Sequence, residues 1–295
     1  MSKIVFLSDL HLSPVHGFFW PNFRAARAAA DAAGAEAVIV NGDLCINGPE
    51  SDAEMAFAAR ALAGFSTPVL PLPGNHDVGD EPPGQDPNQI IDEPRLARWD
   101  AAFGTDRFVR DVGAWRLVGV NAQLFGSGLA REAEQEAWLV ECLATAGTRR
   151  VALVLHKPLF IEQEDEAPAN ASSLTPEPRA RLLALLAAHC VAMVISGHLH
   201  ATRDRVVGGV RHLWLPATAF LGSASHGGVP AVGAIVIDFS AEEAVVAPLP
   251  MPALTPFDLA ALKEHGRYKF LRDMPPCPVP AAEASLAPAL AAGVD

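Results

Sequence analysis

Seven side chains able to hold a metal are spaced along the first two thirds of the chain. Asp9 and His11 form a D-x-H pair and Asp43 closes an N-G-D triplet. Asn75 lies with His76 and Asp77 in P-G-N-H-D, His156 stands alone, and His198 and His200 make up G-H-L-H. Two carboxylates, one amide oxygen and four imidazoles are a mixed donor set, hard enough for Mn²⁺ or iron and nitrogen-rich enough for Zn²⁺, Co²⁺ or Ni²⁺. Seven protein ligands exceed what one catalytic ion with an open position can take. They suit two ions about 3.5–4 Å apart that share a carboxylate. Asp43, between the other clusters in strand order, is the candidate bridge. A hydroxide held between two cations forms near neutral pH and is a nucleophile, and the same cations neutralise phosphoryl oxygens during in-line attack. The donor set therefore predicts hydrolysis of a phosphoester.

The elements that must position these residues read as alternating short apolar runs and Ala-rich helices, the pattern of a layered α/β or α+β sheet protein. Strands are expected at Lys3–Leu7, Ala37–Val40, Pro68–Leu72, Trp115–Asn121, Val151–Leu155, Val191–Ser196, Arg205–Val207, Val210–Leu215 and Val232–Phe239. Helices are expected at Asn22–Ala33, Glu50–Ala63, Pro94–Phe103, Arg131–Ala146 and Pro176–Ala188. Every metal-capable cluster then falls just beyond the C-terminal end of a strand, the edge at which parallel strands deliver their loops to one rim. Asp9 to Asp43 and Asp43 to Asn75 are 34 and 32 residues, close to the roughly 30 of one βαβ unit. Singly, each motif is ordinary: an Asp after a strand often caps a loop, and Asn-Gly and Gly-Asp pairs often make turns. Their shared order and placement carry the reading.

The series DLH, NGD, GNHD, H and GHLH, in that order, resembles the calcineurin-like metallophosphoesterase family over roughly residues 1–240. The resemblance implies a four-layer sandwich, two mixed β-sheets flanked by helices, with a dimetal site at one edge. It implies that Asp9, His11, Asp43 and His200 hold one metal and that Asp43, Asn75, His156 and His198 hold the second. It further implies that His76 stabilises the transition state or protonates the leaving oxygen, with Asp77 orienting the His76 imidazole. Within the family the chain looks most like the bacterial class III phosphodiesterases, which act on cyclic nucleotides and glycerophosphodiesters. Cys45 and Asn47 depart from the pattern, standing where many relatives carry Thr and Asp.

Composition bounds the partners. With 22 basic against 34 acidic residues the formal charge is −12, and half of the 295 residues are hydrophobic. The chain can build a full core, but it lacks the basic footprint that gripping long nucleic acid requires. The loops Gly79–Glu93 and Ile161–Glu177 are rich in Pro and acidic residues; as a rim they would repel a long polyanion and admit a small diester. A nuclease would favour stacking aromatics, and near the first motif only Phe18, Phe19 and Trp20 offer them. His16 and His226 are within reach of a substrate. Four scattered cysteines without a CxxC pair, no signal-peptide pattern and no apolar run of membrane-spanning length point to a cytoplasmic protein without membrane attachment. The expected domains are a catalytic unit at 1–247, a cap or interface segment at 248–274 with a helix at Asp258–His265, and a flexible tail at 275–295. The segment 248–274 leaves a homo-oligomer open. The expected activity is a dimetal phosphodiesterase; a phosphomonoesterase or nuclease on the same metals, and a silent scaffold, are the alternatives.

Overall fold

The computed structural model describes residues 2–167, 172–258 and 277–281. The first sheet is built from β1 (Lys3–Leu7), β2 (Ala37–Asn41) and β3 (Val69–Leu72). The second holds β4 (Phe108–Val112), β5 (Trp115–Val120), β6 (Arg150–Leu155), β7 (Met193–Ser196), β8 (Ala201–Val207) and β9 (Val210–Trp214). β10 (Phe220–Leu221), β11 (Val229–Pro230), β12 (Ile235–Asp238), β13 (Val245–Pro248) and β14 (Phe257–Asp258) follow. Strand order is β13-β12-β1-β2-β3 in the first sheet and β11-β8-β9-β7-β6-β5-β4 in the second, with β10 and β14 as a separate pair. β1, β2 and β3 run parallel, as do β5, β6, β7 and β9; the flanking strands pair antiparallel. Both sheets are therefore mixed.

Strand periodicity separates the layers. Ile4 and Phe6 of β1 face the second sheet and pack with Ile39, Leu117, Val154, Ile195 and Ile237. Their neighbours Val5 and Leu7 turn the other way, onto Phe23 of α1 (Trp20–Ala32), Met55 and Phe57 of α2 (Asp52–Ala63) and Leu96 and Trp99 of a later helix. Across the second sheet, Val118, Leu153 and Val194 meet Leu139 and Leu143 of one helix and Leu182 and Leu186 of another. Those helices are α5 (Ala130–Ala144) and α6 (Pro176–Ala188); α3 (Asn75–Val78) and α4 (Glu93–Phe103) precede them. Helix, sheet, sheet and helix stack in four layers, as the resemblance implied.

The strand Phe108–Val112 was not expected. Its Arg110 and Asp111 lie in an antiparallel edge strand whose outer positions meet solvent, which dilutes the apolar signal. β8 starts at Ala201 rather than Arg205 for the same reason, its T-R-D-R stretch lying on the exposed outer part of the sheet. Of the helix expected at Asp258–His265, Asp258 ends β14 and the rest lies outside the described residues, as does most of the expected tail. Five residues of that tail are held. Cys277 N–H donates to Val15 O at 3.0 Å, Gly17 N–H donates to Cys277 O at 2.6 Å, and Val279 is buried in the first core.

Candidate dimetal centre

The site forms where the loops after β1, β2, β3, β6 and β7 meet. Asp9 N–H donates to Gly42 O and His11 N–H to Asp43 O, each at 3.0 Å, so adjacent loops of one sheet are laced together before any side chain is placed. Asn41 joins the two sheets: its Nδ2 donates to Leu155 O at 3.0 Å, and its own carbonyl receives His156 Nδ1 at 2.7 Å. Glycine is required at both sides of Asp43. A Cβ on Gly42, whose φ is +83°, would stand 2.2 Å from His156 Nδ1, and one on Gly74 would stand 2.2 Å from Asp43 Oδ1.

One donor atom from each of Asp9, His11, Asp43 and His200 lies within 4.8 Å of the others, and Asp43, His156 and His198 form a second such group. Asp43 belongs to both. His11 Nε2 and His200 Nε2 are 3.2 Å apart, His200 Nε2 is 3.1 Å from Asp9 Oδ1, and His156 Nε2 is 3.2 Å from Asp43 Oδ2. Asn75 is buried beside them, its Oδ1 without a hydrogen-bond partner among the described residues. Two of the four imidazoles are pre-oriented by backbone: His156 Nδ1 meets Asn41 O, and His200 Nδ1 meets Phe220 O at 2.9 Å. A carbonyl at Nδ1 places the proton there and turns Nε2 into the site as a lone-pair donor.

Backbone strain is concentrated at the same place. Among the described non-glycine residues six have positive φ, and five of them are Asp9, His11, Asp43, His198 and His200, with φ between 45° and 70°; the sixth is Cys190. Such a conformation costs about 1–3 kcal/mol per residue and persists where the surroundings over-determine it, commonly at functional sites. Electrostatics agree with a cation. Burial and neighbouring imidazoles hold His11 and His198 well below the usual histidine range, so both are neutral donors. Burial pushes the Asp43 carboxyl up, but His156, His76 and His11 outweigh it and hold it well below the carboxylate range. Burial likewise pulls His156 down, but Asp43 above all carries it up to about 9. His156 and Asp43 each favour the charged form of the other. Donor chemistry, orphaned oxygen and strain together fit a pair of metal ions.

His76 is buried beside this cluster, its ring edge-on to His11 at 4.9 Å. Its Nδ1 meets Ile46 O at 2.7 Å, and its backbone N–H donates to Asp43 Oδ1 at 2.9 Å. The expected orienting role of Asp77 is corrected by this geometry, because a backbone carbonyl holds the imidazole. The Asp77 carboxylate instead accepts the N–H groups of Leu44, Cys45 and Gly74 at 2.8–3.1 Å, pinning the loops after β2 and β3 to each other. Burial and Asp43 raise it to about 7 against the pull of those three amides. Cys45 is a packed residue, with Sγ 3.5 Å from Met55 Sδ and its thiol pushed well up by burial.

His16 and His226 are both half-buried, and neither belongs to the two donor groups found among the described residues. The His16 ring lies parallel to Phe18, 6.4 Å between centroids, and Phe18 packs against the cluster of Phe19 and Phe220. His226 ends the short turn Ala224–His226, whose next residue, Gly227, approaches Glu162. The acidic rim is largely committed to structure. Asp80 and Glu81 bond to Lys157, Glu166 accepts the Ile161, Glu162 and Gln163 amides, and Glu162 pairs with Arg203 and Arg205. The case against a polyanion thus rests on net charge rather than on this rim. The buried Lys157 was not anticipated; a lysine directly after a histidine has no periodic signature, and its two carboxylates read as solvent-facing.

A four-layer αββα sandwich carries a buried Asp/His cluster able to hold metal where the loops of its two sheets meet. The chain belongs to the calcineurin-like phosphoesterase family, which it matches over residues 2–202. It is 28% identical over 139 residues to the serine/threonine-protein phosphatase CPPED1 of Homo sapiens, covering 45% of this chain and 41% of that protein. It is 29% identical over 189 residues to the 3′,5′-cyclic adenosine monophosphate phosphodiesterase CpdA of Escherichia coli K12, covering 61% and 60%. The chain therefore spans less than two thirds of either relative. Its fold matches a dimetal phosphatase from Danio rerio with a TM-score of 0.58 at 14% identity, covering 83% of this chain and 95% of that one. No helix among the described residues is long and apolar enough to cross a membrane.

Proposed function

We propose that the chain is a dimetal phosphodiesterase of small diesters, with cyclic nucleotides or glycerophosphodiesters as the substrate class. The observation that carries this is the pair of donor groups sharing Asp43, with His76 buried against them. Asp9, His11, Asp43 and His200 would hold one divalent ion, and Asp43, Asn75, His156 and His198 the other; Mn, Fe, Zn and Co all suit these donors. Two such ions supply positive charge against the phosphoryl oxygens and a water acidic enough to attack at neutral pH.

What this chain's own residues add is orientation and a proton. The Ile46 carbonyl holds the Nδ1 proton of His76, so the ring in its imidazolium form would give the second proton, on Nε2, to the departing oxygen as its P–O bond breaks and would end neutral. The hydrogen bond from His76 N–H to Asp43 Oδ1 ties that acid to the shared carboxylate, so proton donor and metal ligands move as one body. His16 and His226 would meet the substrate's outer groups. The diester preference is supported by the longer match to CpdA, 189 residues against 139 for CPPED1. The match to CPPED1 favours phosphomonoester hydrolysis as the second reading. The four free cysteines fit a reducing, cytoplasmic compartment.

The test is hydrolysis of bis(p-nitrophenyl) phosphate and p-nitrophenyl phosphate by Mn²⁺-loaded protein, followed by cyclic nucleotides and glycerophosphodiesters. Diester turnover at least tenfold above monoester turnover is expected. A reversed ratio installs the second reading, and inactivity with all four metals removes the enzyme reading.

A further inference from the structure

Lys157 is wholly buried, and its ammonium donates to Asp80 Oδ1 at 2.7 Å and to Glu81 Oε2 at 2.6 Å. Both carboxylates are nearly as buried, with Asp80 4% and Glu81 2% exposed. A buried ion cluster is a poor source of stability, because desolvation offsets its attraction. What two short charge-assisted bonds supply is a fixed distance. Here that distance joins two particular loops. Lys157 directly follows His156 at the end of β6, and Asp80 and Glu81 follow Asn75 by five and six residues beyond β3. β3 is an edge strand of the first sheet and β6 an inner strand of the second, so no ladder of backbone hydrogen bonds sets their separation.

The two metal positions differ in this respect. Asp9, His11 and Asp43 leave adjacent strands of one sheet and are laced by the backbone bonds Asp9 to Gly42 and His11 to Asp43. His200 is held to that sheet's loops through Phe220, since Thr218 N–H donates to Ser8 O at 2.8 Å and Ala219 N–H to Asp9 O at 3.1 Å. None of these ties involves Lys157. The second position draws Asn75 and His156 from different sheets; His156 is tied to the first sheet through Asn41, but among the described residues the direct side-chain hydrogen bonds between the Asn75 and His156 loops are those of the lysine.

We infer that Lys157, with Asp80 and Glu81, acts as a positioning group that sets the Asn75-to-His156 spacing and so selectively tightens the second metal position. This rests on the dimetal reading. Outer partners of metal ligands are typically worth 10–100-fold in affinity, and that loss is expected at the second position alone. Glu81 extends the tie to a third loop, its N–H donating to Gln123 Oε1.

The experiment is Mn²⁺ titration of metal-free protein by calorimetry, with electron paramagnetic resonance reporting the spin-coupled Mn pair. Lys157→Met strands two buried carboxylates and endangers folding; Lys157→Met/Asp80→Asn/Glu81→Gln removes all three charges at similar volume and decides the matter. The triple variant should bind a first ion as the wild type does and a second 10–100-fold more weakly, the coupled signal returning only at high Mn²⁺. Equal loss at both positions in a folded variant, or an unchanged second affinity, overturns the inference. A wild type that takes up a single ion overturns the dimetal reading, and this inference with it.

Discussion

His76 differs from its imidazole neighbours in what holds it and in what that leaves it free to do. The candidate ligands His156 and His200 point Nε2 at carboxylates, whereas His76 stands edge-on to His11 and holds Asp43 through its backbone N–H. Replacing it by alanine leaves that backbone bond and every donor atom in place. His76→Ala should therefore retain both metals, measured by elemental analysis, while turnover falls about 10²–10⁴-fold as expected for a lost general acid; metal loss instead would make it a ligand. Asp77 shows where sequence adjacency misleads. His76 and Asp77 are consecutive on the helical turn α3, and consecutive helical side chains do not face each other. Their neighbourhood in GNHD thus carries no contact between them, and the Ile46 carbonyl, thirty residues earlier, takes the orienting place. A backbone carbonyl has no residue type to read, which is why this partner was invisible in the sequence.

At the scale of elements, legibility follows burial. Lys3–Leu7 and Pro176–Ala188 have the bounds their patterns predict, one an inner strand with four of its five residues buried and the other a helix started by Pro and Glu. The short edge strands Val245–Pro248 and Phe108–Val112 were missed because half their side chains meet solvent. β9 carries a consequence for pH. Its Leu213 faces the other sheet, while His212 faces outward to Phe160, with ring centroids 4.7 Å apart, and its Nε2 has no hydrogen-bond partner among the described residues. Burial, helped by the Arg205 guanidinium, lowers His212 from 6.5 to about 4. The unfolded chain then takes up a proton near pH 6.5 that the folded chain refuses until about pH 4. Stability from the neutral ring is complete above pH 6.5 and is lost as pH falls toward 4, by at most about 3 kcal/mol at 1.36 kcal/mol per pKa unit. Urea unfolding at pH 7 and pH 4.5 should show His212→Leu losing less stability on acidification than the wild type; equal losses would remove His212 from the acid response.

For the whole molecule, the site is the place where backbone strain and buried charge are concentrated. Five positive-φ residues, two buried carboxylates and an orphaned amide oxygen converge at the junction of the sheets. The chain around them carries −12, and two divalent ions would reduce that to −8. Ligands that bind only the folded state stabilise it by mass action, about 2.7 kcal/mol for each site at one hundred times Kd. In a protein of this size that corresponds to roughly 5 °C in Tm per site, at about 2 °C per kcal/mol. Thermal melts of chelator-treated protein over a range of free Mn²⁺ should accordingly show Tm rising without saturating, by about 1.4 kcal/mol per site for each further decade. Because both positions contribute, the slope at high Mn²⁺ should approach twice that for one ion. A Tm indifferent to Mn²⁺ would mean that the strained loops are stable for reasons of their own and that the donors do not hold metal. A slope that never exceeds one ion's worth would leave Asp43 serving a single site.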